Sequence, residues 1–529
     1  MTSRNLFDTI FPKEISSRVA IRFEDREISY AELRSLTVST AEKLNALGVE
    51  SGNRVAILLN DSPEFVASFV AIISLGAIAV PINMALRKSE QLTILKDCGA
   101  NVAMVEAQAA ADLSTELPEH GELKNLLVVD RGIDYWTLAL PSGVRAQPFD
   151  SSETRSLGTE FPRGSTADAD AFILYTSGST GEPKGAVHSQ SDIFYTNETY
   201  CREVLNLRAG DRLFSSSRLP FAYGLGNAFT FPLLNGFTAV LCREKPTPEV
   251  IARVFRDHRP TIFFGVPVVY RMLLEHHRNV APLDSSSLRF CVSAGEALPA
   301  QLGEDWQKTF AVEVLDGIGS TEMLHMFMSN HENDVRYGSS GKLLNGYAAK
   351  LVDHEGAPVP DGTEGNLWIR GDSAASRYWQ RPEISEQTFD DGWIRTGDLY
   401  RCDPDGFWWH MGRSDDCFKP TGQWVSPVEV EGVLVKSDKI RAAAVVEGFD
   451  KDDLSCVCAF VVRAHESEAE DVVEQSLRAL CETALPRFKQ PRRYIFISEL
   501  PYTATGKVQR FKLREQLRRP KSNVQSPTS

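Results

Sequence analysis

The sequence has little that would direct it to nucleic acid, to a zinc site or to secretion. Lysine and arginine total 57 against 71 aspartates and glutamates, so the formal net charge is -14. An acidic balance of this kind argues against nucleic acid or an anionic membrane as the main partner. The nine cysteines form no CxxC pair and no Cys/His spacing suited to zinc, so we expect reduced thiols in a cytoplasmic protein. The N-terminal segment has no apolar core followed by a cleavage site, so no secretory signal is expected.

One long segment, from Phe65 to Leu86, lacks charged residues and is long enough to be considered as a membrane span. Several polar residues interrupt it, and Pro81 should end any helix that reaches it. A buried helix over Phe65–Leu75, followed by a short buried strand ending at Val80, explains the segment better. We therefore expect no membrane partner.

The remaining pattern predicts an α/β fold with more than one domain. A chain of 529 residues that is 42% hydrophobic is too long for one ordinary core. Apolar β-rich runs alternate with helical stretches, which is typical of layered α/β domains. Turn-rich short strands indicate a small β-rich subdomain at about 338–413. We predict an N-terminal domain over 1–414, an α+β C-terminal domain over 415–517, and a disordered tail over 518–529.

The strongest chemical signal is a glycine- and hydroxyl-rich loop after the apolar run Ala171–Leu174. It reads Tyr175-Thr-Ser-Gly-Ser-Thr-Gly-Glu-Pro-Lys184-Gly185. Such a loop can wrap backbone amides and hydroxyls around phosphate oxygens, with Lys184 as a nearby cation. A flexible surface loop is the alternative, which the preceding buried strand disfavours. The loop is not a Walker A motif, because no Ser or Thr follows the lysine. The predicted phosphate-binding residues are Thr176, Ser177, Gly178, Ser179, Thr180, Gly181 and Lys184.

With this loop and four later motifs in order, the chain resembles the acyl-adenylate-forming superfamily. That superfamily includes acyl-CoA synthetases, peptide-synthetase adenylation domains and luciferases. The resemblance covers nearly the whole chain. The later motifs are Gly317-Ile-Gly-Ser-Thr321-Glu322, Arg395-Thr-Gly-Asp398, Gly412-Arg413-Ser-Asp415-Asp416 and Pro501-Tyr-Thr-Ala-Thr-Gly506-Lys507.

The resemblance implies ATP, Mg²⁺ and coenzyme A as co-substrates and assigns roles to the motif residues. Glu322 can hold Mg²⁺ with Thr321 beside it, although a Thr-Glu pair alone more often marks a solvated turn. Lys507 can reach charge that develops at the α-phosphate, although a lone lysine is usually only solvated. Nucleotide-binding roles fall on Gly295, Glu296, Asp316 and Gly317 for adenine, and on Asp398 and Arg413 for ribose.

The resemblance also implies a hinge and a channel for coenzyme A. Asp415 is the expected hinge, about which the C-terminal domain moves between two half-reactions. Gly422 is expected where the pantetheine arm of coenzyme A passes, since a residue without a side chain leaves room there.

Substrate choice is indicated by segments similar to benzoate-type CoA ligases within the superfamily. A planar ring needs a flat, mostly apolar slot with few polar groups. His325 is either a contact to the acid or a hydrogen-bonded core histidine, and both interpretations stay open here. Pro420 departs from the pattern of those ligases and weakens the case for Lys419. The predicted pocket residues are Ala222, Tyr223, Gly319, Leu324, His325, Met326 and Lys419.

The function expected is ATP-dependent activation of an aromatic acid of the benzoate or 2-aminobenzoate type. The acid is first converted to an aryl-adenylate and then transferred to coenzyme A. One alternative is an adenylating enzyme that loads a carrier-protein thiol; another, of a different class, is a ligand-binding pseudoenzyme. The resemblance is compatible with a homodimer.

Overall fold

A computed structural model describes residues 5–114, 122–129, 140–149, 166–177, 183–420, 423, 425–450, 454–465, 467–502 and 508–517. The chain separates into two compact units. The first consists of Met1–Ala349, Trp368–Arg395 and Gly406–Trp408, and the second of Lys350–Leu367, Thr396–Asp405 and Trp409–Ser529. The predicted domain boundary after residue 414 and the predicted β-rich subdomain stay predictions. The predicted disordered tail lies outside the described residues.

Helices and strands alternate along most of the chain, which confirms the predicted α/β class. The strands are β1 (Val19–Phe23), β2 (Arg26–Ser29), β3 (Arg54–Leu58), β4 (Ile78–Pro81), β5 (Val102–Glu106), β6 (Asn125–Val129), β7 (Arg145–Pro148), β8 (Asp170–Ser177), β9 (Pro183–Ser189), β10 (Arg212–Ser215), β11 (Thr238–Leu241), β12 (Ile262–Gly265), β13 (Phe290–Ser293), β14 (Val314–Gly319), β15 (Met326–Ser329), β16 (Lys342–Leu343), β17 (Ala348–Val352), β18 (Gly365–Arg370), β19 (Arg377–Tyr378), β20 (Phe389–Asp390), β21 (Trp393–Cys402), β22 (Trp408–Arg413), β23 (Ile440–Phe449), β24 (Ser455–Arg463) and β25 (Arg493–Phe496).

The α-helices are α1 (Leu6–Ile10), α2 (Tyr30–Ala46), α3 (Pro63–Ser74), α4 (Lys88–Cys98), α5 (Ala107–Ser114), α6 (Gln190–Thr196), α7 (Ala222–Leu225), α8 (Phe231–Leu234), α9 (Pro248–His258), α10 (Pro267–Asn279), α11 (Ala300–Phe310), α12 (Pro382–Thr388), α13 (Pro427–Leu434), α14 (Glu470–Ala484) and α15 (Arg510–Leu517). Two π-helical segments occur, one after α6 at Asn197–Leu205 and one between α7 and α8 at Gly226–Thr230. Short 3₁₀ turns lie at Lys13–Ile15 and Arg487–Lys489.

The first unit contains a nine-stranded sheet in the order β16-β15-β14-β13-β12-β10-β11-β1-β2. Its six strands from β14 to β1 run parallel, while β2, β15 and β16 pair antiparallel at the two edges. Strands β12 and β13 are buried along their whole length, as expected for parallel strands covered on both faces. Asp316 of β14 lies opposite Ser293, the last residue of β13. Ligands of open α/β sheets bind beyond the carboxyl ends of such strands.

A second sheet of the first unit has eight strands in the order β19-β9-β8-β4-β3-β5-β6-β7. Strands β8 and β9 form an antiparallel hairpin, and the short strand β19 pairs with the outer side of β9. Tyr378 lies opposite Ala186 in that pairing. This edge therefore brings a segment from residues 375–379 against the strand that follows the predicted phosphate loop.

The charge-free segment that resembled a membrane span is a buried helix followed by a buried strand, as predicted. Helix α3 begins after the N-cap Ser62, whose side chain accepts a hydrogen bond from the backbone of Phe65. Every residue from Phe65 to Ile73 is buried. Across the part of the chain described, no helix combines the length and the apolar character needed to cross a bilayer.

In the second unit, strands β23, β24 and β25 form a three-stranded sheet. Helices α13 and α14 pack on one face, with Val430 and Leu477 in the shared core. On the other face Leu513 of α15 packs with Phe460 of β24. The apolar runs of the sequence predict strands near residues 442–447, 455–462 and 493–497 and a helix near 468–484, and all four elements are present.

Candidate active site

In the sequence, the predicted phosphate loop lies between the paired strands β8 and β9. Thr176 lies opposite Lys184 in the hairpin register. The strand before the loop is buried over Ala171–Leu174, as the sequence predicted. Residues 178–181 lie outside the described residues, so their contact with phosphate stays a prediction. The pairing does place Lys184 beside the start of the loop.

Two oppositely charged side chains, Lys184 and Glu322, are joined by the hydroxyl of Tyr378. Lys184 Nζ donates to this hydroxyl at 2.7 Å, and the hydroxyl donates to Glu322 Oε1 at 2.5 Å. The ammonium and carboxylate are 3.7 Å apart, and Lys184 Nζ is 4.2 Å from the centre of the Tyr378 ring. Burial raises the pKa of Glu322, but Lys184 and Tyr378 lower it, and the result is a pKa below the ordinary value. Glu322 is therefore an ionised, anchored carboxylate and not a solvated turn residue.

The backbone around Glu322 is held by two further elements. His188 Nε2 is 2.8 Å from the carbonyl oxygen of Thr321, and Nδ1 of the same ring is 2.7 Å from Oδ2 of Asp192. Both His188 and Asp192 are buried. The backbone N–H of Ala375 donates to the carbonyl oxygen of Glu322 at 2.7 Å. These bonds fix the peptide groups on both sides of Glu322.

The surroundings of Glu322 fit a magnesium ion that is shared with a phosphorylated ligand. Mg²⁺ is usually bound by one or two carboxylates plus water and substrate phosphate oxygens. The Glu322 side chain keeps 16% of its surface exposed. In the described residues there is no group of three or more His, Cys, Asp or Glu side chains that could enclose a metal. A single carboxylate beside a lysine suits MgATP better than a dedicated metal cage.

The predicted adenine side centres on Asp316. Its Oδ2 accepts a hydrogen bond from the backbone of Leu298 at 3.3 Å, whereas its Oδ1 has no hydrogen-bond partner among the described residues. Burial raises the pKa of Asp316 to about 8. Gly295 and Glu296 follow β13 and are exposed. A buried carboxyl oxygen beside an exposed turn is suited to a polar ligand group.

Two of the residues predicted to line the acid pocket, Tyr223 and His325, lie in contact with each other. The rings of Tyr223 and His325 stack with their centres 5.8 Å apart. The Tyr223 hydroxyl is 3.1 Å from the carbonyl oxygen of Val292 and 3.3 Å from that of Gly265. These contacts to backbone carbonyl groups hold the Tyr223 ring in place against His325. Ala222, just before it, is buried.

His325 is buried, and neither ring nitrogen has a hydrogen-bond partner in the described ranges. Its ring lies 4.6 Å from that of Tyr200 and 4.7 Å from that of Phe231, centre to centre. Burial lowers the pKa of His325 to about 3, against a smaller opposing effect of the Tyr223 backbone. The imidazole is therefore neutral at physiological pH. Both interpretations of His325, a contact to the acid and a core histidine, stay predictions, and its neighbours in the described ranges are aromatic rings.

The chain between Glu322 and His325 is tightly constrained. Leu324 is buried and adopts φ +62°, a left-handed conformation that is uncommon for a side chain of this size. A Cβ on Gly319 would lie 2.5 Å from the carbonyl oxygen of His325. A Cβ on Gly317 would lie 2.5 Å from the Met326 side chain. Both glycines are therefore required by close packing of β14 against β15.

The predicted ribose residues meet within the second unit. Arg413 Nη1 is 3.4 Å from Asp398 Oδ1, and His410 Nε2 is 3.5 Å from the same oxygen. Gly397 has φ +74°, and a Cβ there would lie 2.8 Å from Arg413 Nη2. The Asp398 side chain is 15% exposed and that of Arg413 is 43% exposed. This pair could accept from and donate to ribose hydroxyls.

The other predicted site residues of the second unit are either exposed or outside the described residues. The Asp415 side chain is 65% exposed and lies 3.8 Å from Arg413. Lys419 is exposed. Gly422 and Lys507 lie outside the described residues. Their roles stay predictions.

Sequence reasoning missed four residues that contribute to these contacts: Tyr378, His188, Asp192 and Tyr200. Tyr378 and His188 bond to partners 56 and 133 residues away along the chain. No local pattern marks such a contact. A buried polar residue within a β-rich run, as at His188, is the one signal that could have been used.

Comparison with known proteins agrees with this geometry. Residues 12–379 match the family described as AMP-binding enzyme, and residues 429–507 match its C-terminal domain. The chain is 41% identical over 472 residues to a benzoate–CoA ligase of Thauera aromatica, covering 88% of this chain and 86% of that protein.

Two solved structures resemble the chain over nearly its full length. One is the anthranilate CoA ligase AuaEII in complex with anthranoyl-AMP, with a TM-score of 0.87, 36% identity and 98% of each chain covered. The other is a benzoate CoA ligase from Burkholderia xenovorans LB400, with a TM-score of 0.83 and 35% identity over 97% of this chain and 100% of that one. Since the family match covers more than half of the residues, this chain belongs to the AMP-binding enzymes, the acyl-adenylate-forming superfamily that its motifs resemble.

Proposed function

We propose that this chain is an aryl-CoA ligase, an AMP-forming acid–thiol ligase that activates a benzoate-type acid with ATP. The observation that carries the proposal is the short segment Thr321–Met326. One end carries the anchored carboxylate of Glu322 beside Lys184, and the other carries His325 stacked on Tyr223. These six residues could therefore bind a nucleotide phosphate at one end and an aromatic ring at the other. The similarity to benzoate and anthranilate CoA ligases supports the same conclusion.

In the first half-reaction, a carboxylate oxygen of the acid attacks the α-phosphate of ATP and pyrophosphate leaves. Both reactants are anions, so the protein must supply positive charge and hold them in line. Lys184 and the loop before it are proposed to bind the phosphates, and Lys507 to stabilise charge at the attacked phosphate. A Mg²⁺ ion at Glu322 would neutralise phosphate charge and act as a Lewis acid. No residue acts as a covalent nucleophile.

The acid is proposed to lie with its ring against Tyr223 and His325. A neutral imidazole adds no net charge to this region, so an apolar ring is not disfavoured there. Leu324 and Met326 are buried beside His325 and contribute apolar surface. Aromatic and apolar neighbours of this kind favour a planar ring over a flexible alkyl chain.

In the second half-reaction, the thiol of coenzyme A attacks the acyl carbon and AMP leaves. Asp398 and Arg413 are proposed to bind the ribose of the nucleotide, and Gly422 to leave room for the pantetheine arm. The hinge role of Asp415, a homodimeric state and a cytoplasmic location remain expectations from the sequence.

The test is a panel of acids assayed for AMP formation with ATP, with and without coenzyme A. Benzoate, 2-aminobenzoate and hydroxybenzoates are compared with acetate and a long-chain fatty acid. We expect the highest kcat/KM for an aromatic acid and AMP release that requires coenzyme A. A higher kcat/KM for acetate or the fatty acid contradicts the proposed substrate class. A holo-carrier protein that replaces coenzyme A as the better acceptor contradicts the CoA-ligase assignment, and absence of pyrophosphate release with every acid contradicts enzyme activity.

A further inference from the structure

The hydroxyl of Tyr378 occupies the space between the two charges that the proposed function assigns to MgATP. It accepts from Lys184 at 2.7 Å and donates to Glu322 at 2.5 Å, while the two charged groups stay 3.7 Å apart. A direct ammonium–carboxylate bond is about 2.7–2.9 Å long. Lys184 and Glu322 are thus close enough to attract strongly, but they are not in direct contact.

The position of this hydroxyl is set by a rigid frame. Tyr378 is 1% exposed, its backbone pairs with Ala186 of β9, and its ring packs against Phe389 at 5.3 Å. The backbone N–H of Trp379 donates to the carbonyl oxygen of Gly185, next to Lys184. Lysine and glutamate side chains have several rotatable bonds and can adopt many conformations. The tyrosine side chain has few rotatable bonds, so the packed ring holds its hydroxyl in one position.

We propose that Tyr378 is a positioning residue whose hydroxyl keeps Lys184 and Glu322 from forming a direct ion pair, so that both remain available to MgATP. A hydroxyl can hydrogen-bond to both neighbours at once, since it carries one donor and accepts at its lone pairs. The phenyl ring of a phenylalanine can neither donate to the carboxylate nor accept from the ammonium in this way. Both charges are partly buried, with 24% and 16% of their side chains exposed, so water would not keep them apart. Without the hydroxyl, the ammonium and carboxylate close into a salt bridge that an incoming phosphate has to break.

This inference rests on the proposed roles of Lys184 and Glu322. The test is designed so that a failure of those roles can be told apart from a failure of the inference about Tyr378. The variant is Tyr378→Phe, which removes the hydroxyl and keeps the ring. The matched control is Tyr30→Phe in the same unit, because Tyr30 is also 1% exposed and its hydroxyl donates to the carbonyl oxygen of Phe237 at 2.7 Å. Glu322→Gln and Lys184→Ala serve as reference variants.

The first measurement is MgATP binding by calorimetry in the absence of acid, so that no turnover is needed. We expect Tyr378→Phe to raise the Kd for MgATP about 10- to 100-fold, the range for hydrogen bonds to charged groups. Tyr30→Phe should bind like the wild type. In steady-state assays the KM for ATP should rise in Tyr378→Phe, while the KM for the acid stays within about twofold of wild type.

A double variant distinguishes positioning from general packing. If the hydroxyl acts through the ion pair, Tyr378→Phe added to Glu322→Gln should weaken MgATP binding less than it does in the wild type. Equal effects in both backgrounds would overturn the proposal. So would wild-type MgATP binding by Tyr378→Phe, or an equal loss of ATP and acid affinity together with a lower unfolding midpoint. If Glu322→Gln and Lys184→Ala themselves bind MgATP normally, the proposed function's phosphate site is wrong and the role of Tyr378 falls with it.

Discussion

Glu322 and His325 stand three residues apart in the chain, and their surroundings differ in charge, in hydrogen bonding and in the type of neighbour. At Glu322 the carboxylate, the lysine and the backbone carbonyl groups all have partners. At His325 the neighbours are aromatic rings, and both ring nitrogens are without a partner among the residues described. The polar groups around Glu322 are paired with one another, whereas the ring nitrogens of His325 have no hydrogen-bond partner in the described ranges.

If the proposed function holds, one short segment is prepared for two kinds of binding. Charged groups can be buried only when they are paired and hydrogen-bonded, so the proposed phosphate side is fixed in advance. A buried polar group without a partner destabilises the fold by about 1–3 kcal/mol, and a ligand or water that pairs with it recovers part of that energy. The left-handed Leu324 adds strain of similar order between the two ends.

The largest expected effect comes from a cation outside the described residues. Lys507→Ala should slow aryl-adenylate formation about 100- to 1,000-fold, because one preorganised charge at a developing oxyanion is lost. Supplied aryl-AMP and coenzyme A should still be converted to thioester at close to the normal rate. Single-turnover assays of each half-reaction measure this, and equal damage to both steps would remove Lys507 from the charged side of the site.

The next effect tests the charged end directly. Glu322→Gln keeps the size of the side chain and removes its charge, so adenylation should need about tenfold or more Mg²⁺ to reach half its maximal rate. The KM for the acid should change little, since the aromatic end is untouched. Mg²⁺ titrations at saturating acid provide the measurement. A titration curve like that of the wild type rules out the metal role of Glu322.

A substitution at Tyr223, on the aromatic side of the segment, should change which acid the enzyme prefers. Tyr223→Ala removes the face that stacks on His325, and we expect a loss of about 1–3 kcal/mol in discrimination between aromatic and aliphatic acids. The dependence on Mg²⁺ should stay as in the wild type. Ratios of kcat/KM for benzoate and a small aliphatic acid give the answer, and an unchanged ranking would exclude Tyr223 from the pocket.

The last expected effect is on stability at acid pH and not on activity. Because burial lowers the pKa of His325 from 6.5 to about 3, the folded state resists protonation that the unfolded chain accepts. Stability is therefore lost as pH falls from about 6.5 toward 3, and by pH 5 the loss is about 2 kcal/mol. His325→Phe cannot titrate and should lack this loss. Urea unfolding of both proteins at pH 7 and pH 5 tests it, and parallel changes in the two proteins would contradict the assignment.

Much of the fold and part of the site followed from local patterns. The buried helix α3, the strands of the three-stranded sheet and the strand before the phosphate loop each occupy a continuous stretch with its own periodicity. The Thr321–Glu322 pair, Asp398 and Arg413 are predicted site residues because their motifs are contiguous and stand in a fixed order. Their roles stay predictions.

The sequence by itself determined the class of fold, and it indicated a phosphate loop and the residues that could carry charge to ATP or apolar surface to a ring. Only the tertiary structure decided that Tyr378 lies between Lys184 and Glu322, with 194 and 56 residues separating it from them along the chain. It also decided that His325 is neutral and has no hydrogen-bond partner among the described residues. The physical reason is that local spacing sets which face of a helix or strand a side chain occupies. Which distant group meets it depends on the register of β9 with β19 and of β14 with β15, and that register is fixed only when the sheets assemble.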